Sequence, residues 1–280
     1  MIIDFHTHSH ASDGALAPSA LLAEALAAGV EQFAVTDHDT VAGYVALLEG
    51  ESLPPGFRLL AGTELSSLWS GVGVHVVGLG MDIGHPGFQA GLARLDAARR
   101  ERAELIAEKL ERRGMPGALA GARAEAGDSQ IGRPHFAAWM VSQGHVADAN
   151  EAFDKYLGAG KPGDVKACWP GMAEVTDWIV AAGGVAVLAH PLKYKMTRVK
   201  LKRCLKDFMA AGGSAMEVFS GRQTREQTQD LCEIANELGL LASAGSDFHA
   251  HWEYGPHLGV DTTSLPIEVD LLTAERLGAG

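Results

Sequence analysis

The chain's 280 residues, 47% hydrophobic and 21% charged, suit one large domain or a domain with an insertion and exclude intrinsic disorder. A formal net charge of −12 excludes general polyanion affinity, so a phosphate or nucleic-acid ligand would need a local basic patch. No apolar run approaches the ~18 residues of a membrane span, and the opening Met1-Ile2-Ile3-Asp4-Phe5-His6 lacks the basic and apolar regions of a signal peptide; a cytoplasmic protein is expected.

In chain order, Ile2–Phe5 reads as a buried strand. Pro18 opens a helix that runs to Ala28 and stops at Gly29. Gln32–Thr36 is a strand, Val41–Leu48 a helix, and Arg58–Glu64 and Val72–Leu79 are strands. From about Phe88 to Gly163 no strand is expected. Gly91–Arg113 there reads as a long charged helix, with Pro134–Ser142 and Ala147–Leu157 as two more. Alternation then resumes, with strands at Val185–Ala189, Met216–Phe219 and Leu241–Ser243 and helices at Met172–Ala182, Val199–Ala211 and Arg222–Leu238. This rhythm predicts an α/β fold with a parallel sheet, closed or doubly wound. The helical stretch reads as a cap over the strand ends. Cys168, Cys204 and Cys232 are far apart and read as reduced thiols. Trp69, Trp139, Trp169, Trp178 and Trp252 read as packing residues.

The chemistry lies in 12 histidines, several beside carboxylates. His6 and His8 are two apart at a strand end, so both imidazoles point one way and can share a metal ion. Ser12-Asp13-Gly14 follows, then Thr36-Asp37-His38-Asp39, Gly62-Thr63-Glu64, His75, Ala189-His190-Pro191 and Ser246-Asp247-Phe248-His249. All but His75 fall at or just beyond the C-terminal end of an expected strand, the face on which parallel barrels build sites. Burying these groups without a cation would cost roughly a few kcal/mol each. His85, His145, His251 and His257 read as ordinary surface or core residues, and Asp37 and Asp39 as groups that orient imidazoles or cap loops.

These motifs, with Gly245-Ser246-Asp247-Phe248-His249 at the end, resemble those of the polymerase-and-histidinol-phosphatase (PHP) family. Ile131-Gly132-Arg133-Pro134-His135-Phe136 resembles the branch of 3′,5′-nucleoside bisphosphate phosphatases and 5′→3′ exoribonucleases. The resemblance implies a distorted seven-stranded (β/α)7 barrel over residues 1–87 and 164–280, with 88–163 as a helical cap. It also implies three divalent ions. His6, His8, Glu64 and Asp247 would hold the first, Glu64 with His75 and His190 the second, and Asp13, His38 and His249 the third. Mn²⁺ is expected from the resemblance; the ligand types alone suit Zn²⁺ or Fe²⁺ equally.

No Gly-rich phosphate loop and no Cys or Ser nucleophile motif is visible, so the expected nucleophile is a metal-bound hydroxide held by Glu64, Asp13 and Asp247. Seven cations fall in fourteen residues after His190: Lys193, Lys195, Arg198, Lys200, Lys202, Arg203 and Lys206. Lys193 and Arg198 are substrate candidates because they follow the site loop; the rest read mainly as a solvated helix face. By resemblance, Arg99, Arg102 and Arg133 grip a second phosphate, against the alternative of helix-surface pairing with Asp96 or Glu101. His135 is a candidate proton donor or phosphate contact, with helix packing as its alternative.

Two phosphate sites describe a nucleotide phosphorylated at both ends. The expected reaction is removal of the 3′-phosphate from a nucleoside 3′,5′-bisphosphate such as pAp, with no obligate protein partner. Exonucleolytic cleavage of short 5′-phosphorylated RNA from its 5′ end is the alternative, followed by histidinol-phosphate hydrolysis and, in a different class, a noncatalytic metal-binding module. Amide hydrolysis, which also begins from a His-x-His strand, accounts less well for Asp13, His38 and His249.

Overall fold

A computed structural model describes residues 1–50, 52–166, 168–253 and 255–278. The chain opens with strand β1 (Ile2–Asp4), helix α1 (Pro18–Ala27), strand β2 (Gln32–Ala34) and helix α2 (Ala42–Gly50). Pro18 sits in the first turn of α1, where its missing N–H costs nothing. Leu21, Leu22 and Ala25 form the apolar face of α1 and pack with Phe33 and Val35. Strand β3 (Arg58–Leu60) is separate from β4 (Gly62–Trp69), so the stretch expected as one strand is two. β4 turns back into β5 (Val72–Leu79) through Ser70 and Gly71. Both turn residues have positive φ, at 46° and 76°, as a tight two-residue hairpin requires.

Only helices occur next among the described residues: α3 (Pro86–Glu111), α4 (Ala118–Ala126), α5 (Arg133–Ser142) and α6 (Ala149–Ala152), the last continuing into a π turn over Phe153–Leu157. With 26 residues, α3 is about 39 Å long and joins two cores. Phe88 and Leu95 on its first half pack in the main core, while Ile106 and Leu110 join Phe136, Met140 and Leu157 in a second.

Alternation then resumes with α7 (Met172–Ala181), β6 (Val185–Leu188), α8 (Arg198–Ala210), β7 (Ala215–Ser220), α9 (Arg225–Leu238), β8 (Leu241–Gly245) and β9 (Val260–Asp261). Helix α8 buries Leu201, Cys204, Leu205 and Phe208, spaced i, i+3, i+4 and i+7, against the sheet. Removing the Phe208 ring would cost about 3–5 kcal/mol.

The expected parallel arrangement is only partly present. Among the described residues, nine strands form a four-stranded sheet, in order β3-β2-β1-β9, and a five-stranded sheet, in order β4-β5-β6-β7-β8. β1, β2 and β3 are parallel, as are β6, β7 and β8, but β4–β5, β5–β6 and β1–β9 are antiparallel. The β4–β5 pair follows from connection length: the two-residue turn at Ser70 and Gly71 can join only antiparallel strands. Ile3, Phe5, Val77, Val187, Ala215 and Ala244, drawn from or adjoining both sheets, share one apolar cluster. Isolated parallel bridges, Thr7 to Phe248 and His38 to Glu64, link the sheets at two flanks. All three cysteines are free thiols.

Candidate metal centre and adjoining cavity

Both inter-sheet bridges lie where the polar motifs converge. Asp247 N donates to His6 O at 2.7 Å and His8 N to Phe248 O at 2.9 Å, while Glu64 N donates to Asp37 O at 3.2 Å. His6, His8, Asp13, His38, Glu64, His75, His190, Asp247 and His249 all fall in overlapping groups whose ligand atoms lie within 4.8 Å of one another. Three groups meet around Glu64 and Asp247, namely His6–Glu64–His190, His6–His8–Asp247 and His38–Glu64–His75. The fourth comprises His8, Asp13, His38 and His249.

Glu64 is central. His75 Nδ1 and His190 Nε2 each stand 2.7 Å from its Oε1. Its Oε2 has His38 Nδ1 at 3.0 Å, His6 Nε2 at 3.2 Å and His8 Nε2 at 3.3 Å. Despite this crowding, Oε2 has no hydrogen-bond partner, and neither do the buried His8 Nδ1, His38 Nδ1, His190 Nδ1 and Asp247 Oδ1. Buried imidazole and carboxylate atoms converging without hydrogen bonds are an unfavourable arrangement that divalent cations relieve, and this mixed N/O set suits Mn²⁺, Zn²⁺ or Fe²⁺. The residues fit the group.

Glu64 does not end a strand as expected; it is the third residue of β4. It reaches the centre because β4 begins there and runs on past it. His75, mid-strand in β5, is placed by register opposite Ser66. The Tyr194 hydroxyl accepts from His75 N at 2.9 Å and holds that stretch of β5. Two of the nine have unusual backbones: φ is 26° at His190 and 54° at Asp247, conformations disfavoured for non-glycine residues and typical of sites held by their surroundings. Gly14 allows the Asp13 loop to close, since a Cβ there would lie 2.1 Å from His8 O.

Sequence reasoning missed Glu217, a buried carboxylate on β7 that accepts from His6 Nδ1 at 2.6 Å and from His190 N at 2.5 Å. It holds His6 Nε2 towards the centre, the arrangement by which carboxylates orient metal-binding imidazoles. The signal was an acid inside the apolar run of β7. Asp4 was also missed; it accepts from Ser246 N at 2.8 Å and Gly259 N at 2.9 Å. Asp37 accepts from the Ser9 and Ser12 hydroxyls, each at 2.7 Å. Asp39 accepts from Ser66 N at 2.6 Å.

Electrostatics separate the nine groups. Burial opposes charge on His6, yet the carboxylates of Glu217, Glu64 and Asp247 outweigh it and raise its pKa well above the ordinary value. His8 is pushed up to about 9 in the same way, against burial, by Asp247 and Glu64. Burial lowers His38, His190 and His249. Glu64 and Asp13 are lowered despite burial, because imidazoles surround them. Burial also raises Asp4 to about 6.

A cavity of about 380 Å³ opens from Asp13, His38 and His75 and is closed on another side by Arg99, Arg102 and Arg133. Arg99 Nε donates to Asp39 at 2.5 Å and Arg102 Nε to Val165 O at 2.7 Å. Both guanidiniums lie over the Trp169 ring, at 5.5 and 5.1 Å from its centroid. Arg133 Nη1 donates to Leu157 O at 3.0 Å. The alternative pairing with Asp96 belongs to Arg100, not to these three. Burial first, then mutual repulsion, lowers Arg102 to about 9. Burial lowers Arg133 as well.

Other candidates are placed differently. Lys193 lines the cavity and pairs with Asp247. Arg198 does not line it, because Asp230 and Glu233 on α9 hold its guanidinium on the outer face of α8. His135 is a helix cap: its Nδ1 accepts from Gly132 N at 3.0 Å, and the side chain is not among the cavity-lining residues. Trp252 is not a packing residue. It is 59% exposed, its ring stacked 6.1 Å from that of His249.

Among the described residues, no helix is long and apolar enough to cross a membrane. Residues 4–76 match the model of the PHP domain. The chain is 42% identical to a 5′-3′ exoribonuclease of Haemophilus influenzae, over 94% of this chain and 97% of that one. It is 41% identical to a 3′,5′-nucleoside bisphosphate phosphatase of Chromobacterium violaceum, over 94% and 92%. A solved structure from C. violaceum, described as an amidohydrolase with bound sulfate and no metal, superposes with a TM-score of 0.85 at 38% identity, covering 99% of this chain and 96% of that one. With full-length relatives at this identity and its motifs gathered at one centre, the chain belongs to the PHP family, in the branch of the named bisphosphate phosphatase and exoribonuclease.

Proposed function

We propose that this protein is a metal-dependent phosphoesterase that removes the 3′-phosphate from nucleoside 3′,5′-bisphosphates such as pAp. One observation carries the reading: a single cavity joins the nine-residue centre to three guanidiniums. The centre can hold a phosphate through cations, and the arginines can hold another through planar forks. Anion binding would also relieve the repulsion among the buried arginines.

His6, His8, Glu64, His75, His190 and Asp247 would hold two divalent ions, and Asp13, His38 and His249 a third, with Mn²⁺ the expected metal. When bound, such ions lower the pKa of water and stabilise charge on phosphate and leaving oxygens. Glu217 fixes the His6 ring, and Tyr194 fixes the strand carrying His75. Arg99, Arg102 and Arg133 hold the 5′-phosphate, setting which ester reaches the centre. Lys193 adds a cation beside Asp247, where the reacting phosphate would sit. The ring of β1, β2 and β4 to β8, joined by ladders and isolated bridges, supports reading residues 1–87 and 164–280 as a distorted seven-stranded barrel. The separate apolar cluster supports reading residues 88–163 as its cap.

The test is phosphate release with added Mn²⁺ from pAp against AMP. Strong preference for pAp is expected; equal turnover overturns the two-ended reading. Cleavage of RNA from its 5′ end is the second reading, favoured by the relative of that name. There the arginines grip the 5′-phosphate of a chain, and the next phosphodiester lies at the centre. Stepwise release of mononucleotides from a 5′-phosphorylated oligoribonucleotide would establish it.

A further inference from the structure

Of the seven cations between Lys193 and Lys206, Lys193 pairs with Asp247 and the other six are sorted by the fold into two rows. Arg198 and Lys202, four residues apart on α8, pair with Asp230, Glu233 and Glu237 of α9, and Lys206 continues that row by one turn. Lys200 and Arg203 lie on another face. Lys200 Nζ lies 6.0 Å and the Arg203 guanidinium 5.3 Å from the centroid of the buried Trp69 ring. The indole N–H donates to Asp207 at 2.8 Å, which fixes the ring between them. Neither cation has a carboxylate within ion-pair distance among the described residues, and neither has Lys195.

This second row leads to the cavity. Trp69 is paired in register with Val72, and Val72, Gly73 and Lys195 line the cavity wall. Cations held over a ring keep their charge in place without a neutralising partner. In a chain of net charge −12, leaving these cations unpaired beside the cavity mouth while Lys193, Arg198 and Lys202 are neutralised is a feature suited to a polyanion.

We propose that Lys195, Lys200 and Arg203 form a track for the backbone of a single-stranded polynucleotide whose 5′ end occupies the cavity. The inference rests on the phosphoesterase reading in its second form and adds the surface along which the chain beyond the cleaved linkage would lie. The phosphates beyond the scissile linkage run out past Lys195 and along the Trp69 face of α8, recognised by charge and not by base.

The test uses the metal-loaded protein and a 3′-fluorescent, 5′-phosphorylated RNA octamer with cleavage-resistant phosphorothioate linkages. The variant K200M/R203M keeps apolar stems over the Trp69 ring while removing both charges. Its octamer affinity should fall about tenfold at physiological salt. The slope of log K against log salt should flatten by about 1.4, because each single-strand phosphate contact contributes about 0.7. Phosphate release from pAp should stay within twofold, and K202A, on the α9 side, should leave octamer affinity within twofold. Unchanged affinity and slope in K200M/R203M overturn the track, and so does a parallel loss on pAp, which would mark structural support of the site. A wild-type protein inert on pAp and on a cleavable octamer would remove the phosphoesterase reading, while the binding measurement still decides the track.

Discussion

The two ends of the cavity are built by opposite means. At the metal-capable end, buried acceptors and imidazoles outnumber their hydrogen bonds, and several atoms have no protein partner. At the arginine end, each guanidinium already has a carboxylate or carbonyl contact, and two rest on Trp169. The first end is incomplete without cations. The second is pre-organised by protein alone, and its three arginines line the cavity with little left to order on binding. On the proposed reading, chemistry and selection fall to different materials, and the two should fail separately.

The sharpest way to separate them is Asp13→Asn. Replacing orienting groups around metals costs 10–100-fold, so loss of a ligand should cost more than about a hundredfold in turnover. Circular dichroism should stay unchanged, and the preference for pAp in any residual activity should survive; retention of full activity would remove Asp13 from the centre. Glu217→Gln should weaken metal affinity by about 10–100-fold in a metal titration and be rescued by excess metal. Failure of metal to rescue would assign Glu217 a purely structural role. Arg133→Lys keeps charge and loses the fork, so KM for pAp should rise about tenfold with kcat little changed. A fall in kcat alone would contradict the division between the two ends.

The smallest effect on turnover is expected for Asp4→Asn, legible chiefly in stability. Burial raises Asp4 to about 6 in the folded state, from 3.8. The folded state therefore holds the proton more tightly, and this contribution to stability is complete below pH 3.8 and lost as pH rises through 6. Relative to the wild type, the asparagine variant should gain stability between pH 4 and 7, by at most about 3 kcal/mol. A pH-independent difference in denaturation midpoints would show that Asp4 is not perturbed.

Legibility in the sequence followed how local each constraint is. His6 and His8 could be paired because strand periodicity alone aims them together, and Pro18 and Gly29 mark the ends of α1. Glu64 was recognised but misplaced: the break at Ala61 between β3 and β4 is one residue long, too short for a composition signal. The antiparallel hairpin was legible only in the Ser70-Gly71 pair, which alternation of strands and helices obscured. Glu217 showed only as an acid inside an apolar run, without a role, because its partner, His6, lies 211 residues away. Arg198 looked like a site residue by proximity to His190, yet helix geometry turned it towards acids on α9 that no local pattern announces.

The candidate centre draws His6, His8 and Asp13 from the residues after β1 and Asp247 and His249 from just beyond β8, the two segments joined by the hydrogen bonds of Asp247 N to His6 O and His8 N to Phe248 O. During synthesis, a nascent chain shorter than 249 residues has only part of the ligand set. On the proposed reading, capture of the full set of ions would wait until His249 is synthesised, and shorter fragments would lack the complete centre.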